Sequence, residues 1–205
     1  MFKSIASVLF ISLFSMSSAI ASSKVAADVN TKNPYELVSE LGNKVFEAVA
    51  AAKADNKASP REMELLIEQV LMPHIDVPFA SYKILGTHLR RTTREERDLF
   101  VEVMTQELKE TYSSALAQYE NQSVQYEPAR DVGDQKMVAV KTTLLSPNSS
   151  SIDMTFKLRK NRKTLEWRAY DLVVEGISLI DSKRAELAKP LRDKGIGFVT
   201  QLIAE

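Results

Sequence analysis

This chain of 205 residues contains no cysteine, two histidines and six glycines, and each shortage excludes a class of protein. Without cysteine there is no disulfide and no thiolate, so burial of apolar surface must stabilise the fold. The sequence also lacks a glycine-rich phosphate loop and the paired-histidine spacings of zinc enzymes. It therefore predicts neither a cofactor nor a metal site.

Net charge and long apolar runs are missing as well. The 27 Lys and Arg residues balance 27 Asp and Glu residues, so the whole molecule does not attract phosphate backbones. This balance argues against a nucleic-acid partner. After the N-terminus, no segment reaches the roughly 18 uninterrupted apolar residues of a membrane-spanning helix.

The N-terminus has the three parts of an export signal. Lys3 precedes an apolar run from Ile5 to Met16, and Ala19–Ala21 is a small-x-small cleavage site. We expect a signal peptide over residues 1–21, a disordered polar lead over 22–32 and a single domain over 33–205. The mature protein is then predicted to be soluble and outside the cytoplasm.

Helix-start signals dominate the first half of the domain. Asn33 before Pro34 predicts one N-terminus, and capping boxes at Ser59 and Thr93 predict two more. The third begins the longest predicted helix, whose apolar stripe includes Phe100, Met104, Leu108 and Tyr112. Pro190 is expected to kink or split a C-terminal helix that follows Gly176.

The period changes from helical to alternating after Gln122. Alternation predicts three strands, and a fourth from Glu166 to Val174 is apolar on both faces and therefore expected at the centre of the sheet. Helices, then strands, then a helix indicate an α+β fold: N-terminal helices wrapped over a curved four-stranded antiparallel sheet, followed by C-terminal helices.

Two carboxylates and two histidines are the candidates for chemistry. Asp171 lies within the apolar strand from Glu166 to Val174, and Glu175 follows it directly. A carboxylate in such a strand can have a raised pKa and act as a base. The alternative is that Asp171 pairs with a basic residue and Glu175 shapes a turn, and the chain offers no second catalytic group at a definable spacing. His74 and His88 fit exposed or capping positions better than a metal pair.

The apolar surplus is the stronger lead. The helical stripe and the strand faces of Val138 with Val140, Met154 with Phe156, and Tyr170 with Leu172 are expected to meet in one interior. Periodicity does not distinguish a filled core from a hollow one, so both interpretations stay open at this point.

Two motifs bear on that choice. Residues Trp167–Ile180 read WRAYDLVVEGISLI, and Leu71–Asp76 is followed by Lys83–Gly86. These segments resemble the MlaC family of periplasmic phospholipid-binding proteins, also called toluene-tolerance proteins, in which a Trp/Tyr-Asp strand leads into Glu-Gly-[Val/Ile]-Ser-Leu. Asn33–Pro34, Thr111–Tyr112 and Lys194–Ile196 extend the likeness over most of the chain.

The resemblance implies a cone similar to nuclear transport factor 2, with an internal apolar pocket for acyl chains. It implies a monomeric, non-enzymatic carrier that moves phospholipid between the outer and inner membranes and maintains outer-membrane lipid asymmetry. The residues that it and the apolar pattern assign to lipid binding are Ile75, Leu85, Phe100, Met104, Leu108, Tyr112, Val138, Val140, Met154, Phe156, Tyr170, Leu172 and Ile177.

By the same resemblance, the partners are an outer-membrane lipoprotein–porin complex and an inner-membrane ABC transporter with a substrate-binding ring. Lys83, Arg90, Arg91 and Arg94 are candidates for contacts with a partner or a lipid headgroup, and a solvated charged face is the alternative. Two other functions remain in view: a periplasmic small-molecule enzyme that uses Asp171, and a chaperone for apolar segments.

Overall fold

The computed structural model describes residues 29–147 and 149–205. The predicted signal peptide lies outside these ranges, as do residues 22–28 of the predicted lead. Residues 29–32 are hydrogen-bonded to the folded part of the chain: the Trp167 backbone N–H donates to the Thr31 carbonyl at 2.8 Å, and the Asn30 N–H donates to the Glu40 carboxylate at 2.7 Å.

Capping side chains define where the helices begin. The Asn33 side chain accepts hydrogen bonds from the first turn of α1, and Ser59 and Thr93 form capping boxes with Glu62 and Glu96, as predicted. The helices are α1 (Pro34–Ala54), α2 (Pro60–Leu66), α3 (Val77–Leu85), α4 (Arg94–Ala117) and α5 (Leu179–Ala204). A π turn (Ile67–Leu71) and two 3-10 turns (Met72–His74 and Gly86–Arg91) connect them.

The C-terminal helix breaks at a different residue from the one predicted. Pro190 lies inside α5, whereas the backbone leaves helical geometry at Gly195, with φ 79° and ψ 177°. Only glycine adopts this conformation readily, because a Cβ would clash with the backbone there. The prediction of a split helix was therefore correct in kind and wrong in position.

The sheet has five antiparallel strands rather than the four predicted. They are β1 (Ser123–Tyr126), β2 (Met137–Leu145), β3 (Ile152–Lys160), β4 (Trp167–Val174) and β5 (Ile177–Ser178), in sequence order. The fifth strand arises because Glu175 and Gly176 have φ of 49° and 80°, which folds Ile177 back onto Val174. The fourth strand is consequently next to the edge and not at the centre.

Register gives the sheet one apolar face. Val138 lies opposite Leu158, Val140 opposite Phe156, and Phe156 opposite Leu172. All members of this set point to the same side, because neighbours directly across an antiparallel pair share a face. We call it the apolar face, and its members are Val138, Val140, Thr142, Leu144, Ile152, Met154, Phe156, Leu158, Trp167, Ala169, Leu172 and Val174.

Helices cover parts of both faces of the sheet around β4. Tyr35, Leu37 and Val38 of α1 pack with Trp167 and its neighbours at one end of the apolar face. Across the sheet, α3, α4 and α5 form a second cluster, against which Tyr170 packs. A third cluster joins the rest of α1 to α2 and to the end of α4.

Candidate functional site

One end of the apolar face has no tightly packed cover. Val140, Leu158 and Trp167 are fully buried beneath α1. Toward the other end the exposure rises, and five aliphatic or thioether side chains are only half-buried. Among the residues the structure describes, none of the five packs against a buried cluster. We call this set the uncovered end: Leu144, Ile152, Met154, Leu172 and Val174.

Such a surface is unusual for a folded chain. Five adjacent apolar side chains in register form a continuous patch, and patches of this kind commonly bind a ligand or another apolar surface. Thr142, opposite Met154 on the same face, has a buried hydroxyl without a hydrogen-bond partner among the described residues. The patch can therefore make apolar contacts with a ligand, but it provides almost no hydrogen-bonding groups.

Tyr112, on the apolar stripe of α4, lies near Asp171. Burial, assisted by the nearby negative charge of Asp171, raises the pKa of its phenol to about 12. The ring is nevertheless only half-buried, and within the described chain its hydroxyl makes no hydrogen bond. The coupling to Asp171 places Tyr112 near a carboxylate that points away from the apolar face.

The other predicted lipid-binding residues divide between two buried clusters. Leu85, Phe100 and Met104 are buried in the cluster of α3, α4 and α5, with Ile75, Leu108 and Tyr170 packed against it. Val138 and Val140 are buried beneath α1, with Phe156 packed beside them. The expected single interior of helical stripe and strand faces is thus two interiors, because α1 and not α4 covers the buried end of the apolar face.

A β-bulge separates two residues that were expected to share a face. The β3–β4 register shifts between Lys157 and Leu158, which inserts one residue into β4. Leu172 therefore lies on the apolar face. Tyr170 instead packs edge-on against Phe79, with ring centroids 5.0 Å apart, and Phe79 in turn lies beneath the guanidinium of Arg159.

The remaining predicted residues lie at the surface. Ile177 is 63% exposed, directly across from Val174, so it extends the uncovered end as a rim. Lys83, Arg90, Arg91 and Arg94 are all exposed, on consecutive elements from α3 to the start of α4. Arg94 pairs with Asp98 at 3.7 Å, and Lys83 lies over the Phe79 ring.

Asp171 is fully engaged by its neighbours. One carboxylate oxygen accepts from Lys157 Nζ at 2.9 Å and from the Ser178 hydroxyl at 2.7 Å, and the other accepts from the Ile180 N–H at 3.2 Å. The hydrogen bond to Asp171 raises the pKa of Lys157. This network anchors the start of α5 to β4, which is the structural role that the sequence left as an alternative.

His74 is buried, contrary to the expectation of an exposed or capping histidine. Burial, reinforced by the positive charges of Arg168 and Lys44, lowers its pKa. It borders a surface cleft of about 260 Å³ with Trp167 and Arg168, and a second cleft of about 280 Å³ lies beside Phe46 and Tyr126. Both are small for a ligand pocket, and neither is lined by a predicted lipid-binding residue.

The described ranges contain neither a metal-binding cluster nor a membrane-spanning helix. Over residues 29–147 and 149–205, no group of His, Asp or Glu side chains is arranged to hold a metal ion. Within the same ranges, every helix is too short or too polar to cross a bilayer.

Sequence reasoning missed Leu144, Ile152 and Val174 as members of the uncovered end. Each follows the alternation that identified its strand, so pairing Ile152 with Leu144 across the β2–β3 turn would have found two of them. The third, Val174, lies two residues after the predicted Leu172 and on the same face, so alternation along β4 would have found it as well.

A family model supplies the decisive comparison. The model described as MlaC protein matches residues 39–205, from the first helix through the sheet to the end of α5. The chain belongs to the MlaC family. The match includes the uncovered end, the Asp171 network and the turn at Glu175 and Gly176.

Individual MlaC-type relatives agree with this assignment. The chain is 27% identical over 165 residues to the intermembrane phospholipid transport system binding protein MlaC of Haemophilus influenzae, covering 80% of this chain and 77% of that protein. It is 25% identical over 169 residues to the toluene tolerance protein ttg2D of Pseudomonas putida, covering 82% and 77%.

A solved structure supports the fold. The phospholipid-binding protein of Ralstonia solanacearum, determined in complex with a phospholipid, superposes with a TM-score of 0.74. The match covers 84% of this chain and 95% of that one, at 21% sequence identity. At this level of identity the comparison establishes a shared α+β architecture.

Proposed function

We propose that this protein is a phospholipid carrier that encloses acyl chains in an apolar pocket, leaves the headgroup at the pocket mouth and catalyses no reaction. Membership of the MlaC family supports the proposal, as do a relative named for intermembrane phospholipid transport and a structural neighbour bound to a phospholipid. The observation that carries it in this chain is the uncovered end of the apolar face.

The cost of exposing acyl chains to water favours a binding site that is almost entirely apolar. Two acyl chains of about 15 methylenes each would cost roughly 25 kcal/mol to expose to water, at about 0.8 kcal/mol per methylene. A carrier therefore has to cover the tails, while the headgroup can remain hydrated. The five apolar side chains of the uncovered end, with the Thr142 hydroxyl beside Met154, match that requirement.

The proposed pocket has a closed end and an open end. Val140, Leu158 and Trp167 seal it beneath α1, and Ile177 forms an exposed rim at the opposite end. Leu85, Phe100 and Met104 are buried across the sheet from this pocket, where they support α3 and α4. Tyr112 lies near Asp171 on that same side and is not part of the proposed pocket.

The cellular setting follows from the same family. We propose a periplasmic location and transfer between the outer and inner membranes, with a lipoprotein–porin complex and an ABC transporter as partners and lipid asymmetry as the result. The exposed residues Lys83, Arg90, Arg91 and Arg94 remain candidates for partner or headgroup contact.

The enzyme alternative has less support. A general base needs an oxygen that a substrate proton can reach, and three donors already occupy the Asp171 carboxylate. The chaperone alternative predicts binding of unfolded peptides in place of lipid. No feature of the described residues favours either one.

Solvent extraction of the purified protein followed by mass spectrometry tests the proposal. We expect diacyl phospholipid at near-stoichiometric amounts, and uptake of lipid from donor vesicles after delipidation. Delipidated protein that stays folded and takes up no lipid would contradict the carrier function. Peptide in the extract would favour a chaperone, and small-molecule turnover without lipid would favour an enzyme.

A further inference from the structure

Positive charge is concentrated around the turn between β3 and β4. Arg162 and Lys163 lie on the turn itself, and Lys136 lies next to it through the hydrogen bond from Lys160 N–H to its carbonyl at 3.0 Å. The Lys32 ammonium reaches the same turn and donates to the Thr164 carbonyl at 3.1 Å. All four cationic side chains are exposed.

These cations lack acidic partners. Among the residues the structure describes, Lys32, Lys136, Arg162 and Lys163 form no ion pair. The nearest carboxylates along the chain are those of Asp134 and Glu166, so the excess is local in a protein with 27 charges of each sign.

An exposed leucine lies on the same turn as Arg162 and Lys163. Leu165 is 55% exposed and has φ 60°, a left-handed conformation that is unfavourable for a residue with a Cβ. The turn is held firmly, since the Leu165 N–H donates to the Asn161 carbonyl at 2.9 Å and the Asn161 N–H donates to the Glu166 carbonyl at 2.7 Å. Strained backbone conformations are commonly found at functional sites. A strained turn that exposes an aliphatic side chain to water therefore indicates that the side chain binds another apolar surface.

We propose that this surface docks the protein onto anionic phospholipid bilayers. Its members, here named the hairpin patch, are Lys32, Lys136, Arg162, Lys163 and Leu165. The four cations would lie over lipid phosphates while Leu165 enters the boundary between headgroups and acyl chains. Each cation near an anionic membrane surface strengthens binding roughly fivefold.

The position of the hairpin patch separates docking from the lipid pocket. It lies beside Leu158 and Trp167, at the end of the sheet where the apolar face is buried. Strand β3 has nine residues, so Ile152 at the uncovered end is roughly 30 Å away. Docking therefore leaves the uncovered end free and does not depend on the proposed carrier function.

Vesicle sedimentation tests the proposal with the mature chain. We expect binding to vesicles of phosphatidylethanolamine and phosphatidylglycerol at low salt, weaker binding at high salt, and little binding to phosphatidylcholine vesicles. Replacing two cations in Arg162→Gln/Lys163→Gln should weaken binding roughly 25-fold. The matched control Lys57→Gln/Arg61→Gln removes the same charge from exposed positions beyond the C-terminal end of α1 and should bind as the parent does.

Leu165→Gly separates the apolar contact from the charge. Glycine accepts the positive φ, so the variant should fold at least as stably as the parent while binding vesicles more weakly. Equal binding of the parent and Arg162→Gln/Lys163→Gln would overturn the proposal, as would equal loss in the control or equal binding to neutral vesicles. Failure to bind vesicles, with charge-dependent cross-linking to an acidic protein instead, would replace the membrane with a protein partner.

Lipid content is measured on every variant. Protein that docks on vesicles and contains no phospholipid would contradict the carrier function alone. Protein that contains phospholipid and does not dock would contradict the docking proposal alone.

Discussion

The carboxylate of Asp171 lies 2.9 Å from the ammonium of Lys157, across strands β4 and β3 on the polar side of the sheet. The Asp171 side chain is almost fully buried, whereas that of Lys157 keeps about a third of its surface exposed. Burying a carboxylate is tolerable here because an ammonium, a hydroxyl and a backbone N–H all donate to it. The pair thus connects the sheet to the first turn of α5.

Asp171→Asn should lower stability and leave lipid binding intact. The amide cannot accept from all three donors with the same strength, and we expect a loss of about 1–3 kcal/mol in the free energy of unfolding. Chemical denaturation and lipid content are the two measurements. The control is Asp153→Asn, which alters an exposed carboxylate on β3 and should cost much less. A normally folded, lipid-loaded variant that lost a turnover present in the parent would support the enzyme alternative.

Met154→Asp should abolish lipid binding. Met154 lies between Thr142 and Val174 on the apolar face, and an unpaired carboxylate among acyl chains costs several kcal/mol or draws in water. Co-purified phospholipid is measured by mass spectrometry, with circular dichroism to confirm folding. Ala139→Asp is the matched control, since Ala139 is exposed on the opposite face of β2 and its variant should keep its lipid. Unchanged occupancy in the Met154 variant would remove this residue from the pocket.

Leu108→Asp addresses the helical stripe in the same way. Leu108 packs against the buried cluster of α3, α4 and α5, so its variant should lose stability as well as lipid. Lipid loss accompanied by a full circular dichroism signal and an unchanged thermal midpoint would show that Leu108 lines the pocket and does not support the fold.

Gly42→Ala should destabilise the protein, although alanine is the better helix former. A Cβ at Gly42 of α1 would collide with the Tyr126 hydroxyl oxygen and lie 3.0 Å from Tyr126 Cζ. We expect a cost of about 1–3 kcal/mol, typical of overpacking. Tyr126→Phe removes a buried hydroxyl without a hydrogen-bond partner in the described chain, so that change alone should be neutral or stabilising.

The double variant Gly42→Ala/Tyr126→Phe should recover part of the loss, because the oxygen that causes the closest collision is gone. Chemical denaturation of the parent, the two single variants and the double variant gives the coupling energy. Strictly additive effects would mean that the helix and β1 adjust independently of this contact.

Stability should fall below about pH 6.5 in a way that depends on His74. Its pKa in the folded state is lowered from 6.5, so the unfolded chain binds the proton more readily. The stabilising contribution is therefore present above pH 6.5 and is lost as the pH falls toward the folded-state pKa. Denaturation across this range should show a shallower acid loss for His74→Gln than for the parent. Parallel curves would contradict the assignment.

Local features of this fold were readable from the residues. The helix starts at Asn33, Ser59 and Thr93 were predicted correctly, because each cap is a hydrogen bond between groups two or three residues apart. Strands β2 and β3 were predicted for a similar reason, since alternation is set by which side of one strand is buried. The Trp167–Ile180 motif also sufficed to indicate the family that the comparison with the MlaC model confirms.

The tertiary structure alone decided how these pieces meet. The bulge at Lys157 and Leu158 depends on which donors lie across the strand pair, and it placed Tyr170 and Leu172 in different environments. The fifth strand required positive φ at Glu175 and Gly176. This backbone conformation becomes favourable only when Ile177 pairs with Val174. The break of α5 at Gly195 and not at Pro190 was also visible only in the tertiary structure.

The sequence by itself determined which residues are apolar, where three of the helices begin and to which family the chain belongs. It did not determine that α1 covers Val140 and Trp167 while Met154, Leu172 and Val174 remain uncovered. Burial is a property of three-dimensional packing, and an apolar side chain has the same pattern in sequence whether it faces a helix or an empty space. Only the packed structure distinguishes the buried core of this protein from the uncovered end that we propose to bind lipid.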